Sequence, residues 1–77
     1  MVSADIRIKL GKRMRLLRAK HDYSQSELAK RASISLPYVQ MLEGIAPKRR
    51  RSATIVTLEK IATAFDMSPS ELLDFDE

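Results

Sequence analysis

Apolar residues return every three or four positions along most of this 77-residue chain, the spacing of one face of a helix. Ile6, Leu10, Met14 and Leu17 form the first stripe, in a helix expected over about residues 5–20. Arg7, Lys9, Lys12, Arg13, Arg15 and Arg18 cover most of the rest, and Gly11 weakens the helix slightly. A second helix, about 24–31, opens on Ser24-Gln25-Ser26-Glu27 and carries Leu28 and Ala29, with Ala32 at its end. Its opening reads as a capping box, the Ser24 hydroxyl accepting the N–H three residues on while Glu27 reaches back. Ser33-Ile34-Ser35 breaks the pattern, and Ser35 caps a third helix, about 35–43, with Pro37 in its first turn. Val39 and Leu42 point one way from that helix; Leu36, Tyr38, Gln40 and Met41 lie on other faces.

A fourth helix, about 54–65, places Ile55, Leu58, Ile61, Ala62 and Phe65 on one side. Its β-branched start, Thr54 to Thr57, would suit a strand, but the three-to-four-residue spacing outweighs it. Ser68-Pro69-Ser70-Glu71 is a second capping box, opening a short fifth helix, about 69–74, with Leu72 and Leu73. No strand alternation occurs, so the expected fold is all-α, a compact five-helix bundle forming one domain over 1–77.

Composition narrows the function. The chain has no Cys, so it holds neither a disulfide nor a thiolate metal site. No apolar run reaches a membrane span and no signal-peptide pattern opens the chain, so a cytoplasmic protein without a membrane partner is expected. His21 stands alone and is expected to cap a helix end or meet solvent, with no metal and no cofactor. No Ser–His–Asp set, carboxylate pair or Gly-rich phosphate loop is present, so an enzyme is not expected. The net charge of +4 is divided unevenly. Residues 1–51 carry thirteen basic and four acidic side chains; residues 52–77 carry one and six. A basic face for a polyanion, with an acidic end held away from it, is one reading; an ordinary solvated surface is the other.

Two short helices joined by a three-residue break, the second capped by Ser35, form a helix-turn-helix candidate. The residues carry this further. Tyr23-Ser24-Gln25-Ser26-Glu27-Leu28-Ala29, Ser33-Ile34-Ser35-Leu36-Pro37-Tyr38-Val39-Gln40-Met41-Leu42-Glu43 and Leu58-Glu59-Lys60-Ile61-Ala62 through Ser68-Pro69-Ser70-Glu71-Leu72-Leu73 occur in that order. With Leu10 to Arg18 before them, they resemble the Xre/Cro-type helix-turn-helix family of bacterial and phage transcriptional regulators, over about residues 6–75. The resemblance implies a lambda-repressor-like DNA-binding domain and sequence-specific regulation, most simply repression by a homodimer on a palindromic operator in double-stranded DNA.

In that setting the third helix lies in the major groove. Ser35, Leu36, Pro37, Gln40 and Met41 are then the base-contacting candidates, with Gln40 able to pair with adenine and the apolar residues suited to thymine methyls. The family more often has polar residues at positions 36 and 37, so Leu36 and Met41 are also open to local packing or a protein partner. Backbone candidates are Ser24, Gln25 and Tyr38, the run Lys48-Arg49-Arg50-Arg51, and further Lys12, Arg13 and Arg15. The resemblance implies that Gln25 clamps a phosphate and that Arg18 and Glu43 form a structural ion pair. The stretch between Glu43 and Ile61 is longer than the compact family pattern, and the extra length is basic. Leu72, Leu73 and Phe75 are the dimer-interface candidates. The same fold also admits an antitoxin with a toxin partner, a protein-binding adaptor, or the controller of a restriction system.

Overall fold

The computed structural model describes residues 5–44 and 53–75. Its helices are α1 (Ile6–His21), α2 (Gln25–Ala32), α3 (Leu36–Glu43), α4 (Ile55–Ala64) and α5 (Pro69–Leu72). The chain is all-α, and no strand occurs among the described residues. None of these helices is long and apolar enough to cross a membrane.

Each helix begins where a side-chain oxygen takes a backbone N–H that the helix leaves without a partner. Asp5 accepts from the Arg7 N–H at 2.8 Å. Ser24 accepts from Glu27, Ser35 from Tyr38, Thr54 from Thr57 and Ser68 from Glu71. At α5 the capping box is complete, because the Glu71 carboxylate also accepts from the Ser68 N–H at 2.8 Å. At α2 it is not. The Glu27 carboxylate turns to Arg31, one helical turn on, at 2.6 Å.

The ends of α1, α2 and α4 share one device. Just past each helix stands a residue with left-handed backbone, Asp22 (φ 60°), Ser33 (φ 57°) and Asp66 (φ 57°). The next residue is apolar, and its N–H returns to a carbonyl inside the helix: Tyr23 to Arg18 at 2.9 Å, Ile34 to Ala29 at 3.0 Å, Met67 to Ala62 at 2.9 Å. All three apolar residues pack against the core. This is the hydrogen-bond pattern of a glycine-type helix stop, made without glycine. Left-handed backbone costs an L-residue roughly 1–2 kcal/mol, which the anchoring side chain and the returned hydrogen bond offset.

The core draws on every helix: Leu10, Met14 and Leu17 from α1, Leu28 from α2, Val39 and Leu42 from α3, Ile61 from α4 and Leu72 from α5. Phe65, immediately after α4, is also buried. α1 and α2 pack on α3, α2 packs on α4, and α5 packs on α4. The apolar stripes run further than the core. Ile6 is 60% exposed and Ile55 is 84% exposed, although each continues its stripe in register. Both sit in the first turn of their helices, beyond the layer that neighbouring helices cover. Gly11 has a packing role that its helix propensity does not suggest. A Cβ there would lie 2.7 Å from the Leu42 carbonyl oxygen and 3.3 Å from the Glu43 Cα. Only glycine lets the backbone of α1 rest on the end of α3.

His21, in the last turn of α1, is half-buried among aromatic rings. Its ring lies 5.2 Å from that of Tyr23 and 5.4 Å from that of Phe65. Tyr23 stacks on Phe65 at 5.8 Å, and the Arg31 guanidinium covers Tyr23 at 4.6 Å. These rings join the ends of α1 and α4 beside α2.

Candidate functional site

The break between α2 and α3 turns the chain through Ser33, Ile34 and Ser35 and directs α3 across α1 and α2. On α3, Val39 and Leu42 are buried, while Ser35, Pro37 and Gln40 are exposed. Leu36, Tyr38 and Met41 are half-buried, their inner sides packed against the core. The outer surface of α3 is thus polar at Ser35 and Gln40, with apolar shoulders at Leu36 and Met41 that serve packing at the same time.

The C-terminal end of α3 is held by a polar network centred on Glu43. Its side chain is only 2% exposed. Arg18 meets the carboxylate with two parallel hydrogen bonds, Nε to Oε2 and Nη2 to Oε1, each 2.8 Å. Gln25 donates its Nε2 to Oε1 at 3.1 Å. Arg18 also reaches back to the Tyr23 carbonyl at 3.1 Å, tying α1 to the start of the helix-turn-helix. The Glu43 hydrogen bonds raise the pKa of Arg18 above its ordinary value, more than desolvation lowers it. A buried carboxylate is tolerated because a guanidinium matches both of its oxygens.

Gln25 stands in the first turn of α2 and is half-buried, with Ser24 exposed beside it. Its amide nitrogen serves Glu43, so Gln25 links the N-terminal end of α2 to the far end of α3. Around this network lies an open depression of about 390 Å³, lined by Arg15, Arg18, Gln25, Gln40, Glu43 and Gly44. Arg15 donates from Nη1 to the Glu43 main-chain carbonyl. Arg13 donates from Nη2 to the Glu71 carbonyl at 3.0 Å, joining α1 to α5. Two of the three α1 residues expected at a DNA backbone are therefore engaged inside the protein; Lys12 is exposed. Sequence reasoning missed both contacts because a main-chain acceptor has no residue type to signal it. Lys48, Arg49, Arg50 and Arg51 lie outside the described residues.

At the other end of the molecule, one expectation needs correction. Leu72 is completely buried in the single chain, so it is a core residue and not an interface residue. A four-residue helix can anchor itself only by sinking its one inward-facing leucine. Leu73 and Phe75 are half-buried, with the Lys9 ammonium 5.9 Å from the Phe75 ring centre. Leu73 borders a mostly apolar hollow of about 130 Å³, with Ile6, Arg7, Leu10, Ala53 and Leu58. Exposed Ile55 and Val56 continue α4 beyond Leu58. Among the described residues, no group of three or more His, Asp or Glu side chains could hold a metal.

Comparison with known proteins identifies this arrangement. A helix-turn-helix family model matches residues 14–72, from the middle of α1 to the end of α5. No curated protein matches the chain. Among solved structures, the chain is similar to the restriction-modification controller protein C.AhdI from Aeromonas hydrophila, with 36% identity over 91% of this chain and 98% of that one, and a TM-score of 0.76. It is similar to the hypothetical transcription factor NHTF from Neisseria, with 31% identity over 92% of this chain and 77% of that one, and a TM-score of 0.79. It is also similar to SinR, the master regulator for biofilm formation, in a complex with DNA, with 32% identity over 84% of this chain and 98% of that one, and a TM-score of 0.72.

Proposed function

Since the chain belongs to the Xre/Cro-type helix-turn-helix family, we propose that it is a sequence-specific DNA-binding regulator of transcription. It acts by occupying a palindromic operator as a homodimer, most simply as a repressor. The observation that carries this reading is α3 itself, whose outer face presents Ser35, Pro37 and Gln40 while a buried ion pair holds the helix from behind. SinR, of similar fold, was solved on DNA.

In this reading α3 enters the major groove. Gln40 is the main base reader, its carboxamide suited to adenine, with Ser35 beside it and Leu36, Pro37 and Met41 against thymine methyls. Ser24 and Gln25, at the N-terminal end of α2, and Tyr38 meet backbone phosphates. Lys48, Arg49, Arg50 and Arg51 add a salt-sensitive term of roughly 3 units per subunit to the slope of log K against log salt. The work is binding, not bond-making: behind α3, Arg18 serves the Glu43 carboxylate and Arg15 the Glu43 main-chain carbonyl.

One α3 reads only a few base pairs, so useful specificity needs two copies whose half-sites stand about 34 Å apart. The hollow at Leu73, lined also by Ile6, Leu10, Ala53 and Leu58, suits that contact, and exposed Ile55 and Val56 add apolar surface at the start of α4. The cation lining the hollow, Arg7, is already paired with Asp5, so this face offers apolar surface to a second copy instead of charge to DNA. Leu73 and Phe75 border it.

Selection of bound sequences from random duplex DNA at two salt concentrations tests the reading. Enrichment of palindromes containing an adenine opposite Gln40 is expected. Binding without sequence preference would remove Gln40 and Ser35 as readers, and affinity indifferent to salt would favour a protein-binding adaptor or antitoxin.

A further inference from the structure

α3 is the helix whose placement decides what is read, yet it is poorly equipped to end where it does. It has eight residues, and helices this short depend on their surroundings. Its last turn holds no basic residue. The one charge there is Glu43, the wrong sign for the negative pole of a helix. α1, α2 and α4 each finish through a left-handed residue and a hydrogen bond that returns to the helix. α3 does not. Gly44 leaves in an extended conformation, φ −68° and ψ 153°, and its N–H reaches Met41, at 3.2 Å. A glycine, the residue best able to turn left-handed, stands at this exit without doing so. The Glu43 carbonyl, one of the last four that a helix leaves without an intrahelical partner, takes one from another helix.

That partner is Arg15. It lies three residues before Arg18, so both guanidiniums leave the same side of α1. Arg18 takes the Glu43 carboxylate, and Arg15 takes the Glu43 main-chain carbonyl. One residue of α3 is thus gripped by side chain and by backbone from a single helix. Four residues before Arg15, Gly11 lets the α1 backbone touch Leu42 and Glu43 directly.

We propose that Arg15 is a positioning residue for the reading helix. It caps the C-terminal end of α3 from α1 and supplies the cation that the last turn of α3 lacks, and its charge is not spent on a DNA phosphate. The assignment rests on α3 being the base-reading helix.

Arg15→Ala, Arg15→Lys and the unaltered protein should be compared in two measurements. The first is affinity for a selected operator and for random duplex across a salt series. The second is amide hydrogen exchange along α3, with Ile61 and Ala62 in α4 as internal controls. Arg15→Ala should lose about tenfold more affinity for the operator than for random duplex, the scale of a well-placed charge at a helix end. The salt slope should stay unchanged, and exchange at Leu42, Glu43 and Gly44 should accelerate while α4 holds. Arg15→Lys should recover part of both losses. Equal weakening on every sequence, with a slope shallower by about one unit, would make Arg15 a phosphate contact and overturn the proposal. Unchanged discrimination with unchanged exchange would overturn it too. If the unaltered protein prefers no sequence, the DNA reading fails, and the exchange experiment still decides whether Arg15 holds α3. If Arg15→Ala does not fold, the same comparisons on Arg15→Lys decide.

Discussion

Two regions of this small protein are held by different means. Where α1 meets α3, the fastening is polar and close: a bidentate ion pair, a carboxamide, a guanidinium on a carbonyl, and backbone laid against backbone. Around α4 and α5 it is mainly apolar, with one sunken leucine, a hollow beside Leu73, and Ile55 and Val56 left outside, and Arg13 on the Glu71 carbonyl is a polar tie. Directional bonds specify a geometry; apolar contact gains free energy from area and tolerates variation in fit. The reading end has the fastening that fixes an angle. The region of α4 and α5 has exposed apolar surface left over.

The sharpest way to break this contrast is to remove one side of the ion pair. Arg18→Ala leaves a carboxylate buried without its counter-ion and should cost about 3–5 kcal/mol, measured by denaturant unfolding. A loss below about 1 kcal/mol would mean that the pair behaves as an exposed one. At the other end, Leu72→Ala opens a cavity under α5 and should cost about 2–4 kcal/mol. If instead it lowers the mass of the protein in sedimentation without changing its stability, the leucine belongs to an interface after all. Gly11→Ala should cost about 1–3 kcal/mol, because α1 must back away from the Leu42 carbonyl. It should also weaken operator binding beyond what the stability change accounts for.

The smallest effect concerns pH and separates the ends without a mutation. The Glu71 carboxyl is held below its ordinary pKa, first by the Ser68 backbone N–H and then by the Ser68 hydroxyl. A carboxyl lowered by folding contributes stability that is present above its unfolded value, about 4.3, and is lost as pH falls through the lowered folded value. Amide exchange at the start of α5 should therefore quicken in that acid range, ahead of the amides of α3.

Much of this was legible in the residues. Ser24, Ser35 and Ser68 mark three helix starts because a side-chain oxygen and its spacing are written in sequence. Val39 and Leu42 separate the buried side of α3 from the outer side by period alone, and the order of motifs carried the family. The rest was hidden for identifiable reasons. Spacing shows that Ile6 and Ile55 share a stripe, but where the core stops depends on which helices cover the first turn. Leu72 and Leu73 are neighbours of one type, and only the seating of α5 sends one inward. Asp22, Ser33 and Asp66 take the left-handed positions that glycine would have announced. Arg15 and Arg13 seek carbonyls, and carbonyls belong to every residue.

The contact at Gly11 has a consequence for control. With the main chain of α1 against the main chain of α3, there is no layer of side chains between them to slide or repack. α3 has little freedom to tilt against α1, and the two turn as one body. If the chain binds DNA as the proposed dimer, its fit is adjusted by how two such rigid units stand relative to each other, and the spacing between half-sites is the coordinate on which occupancy is tuned.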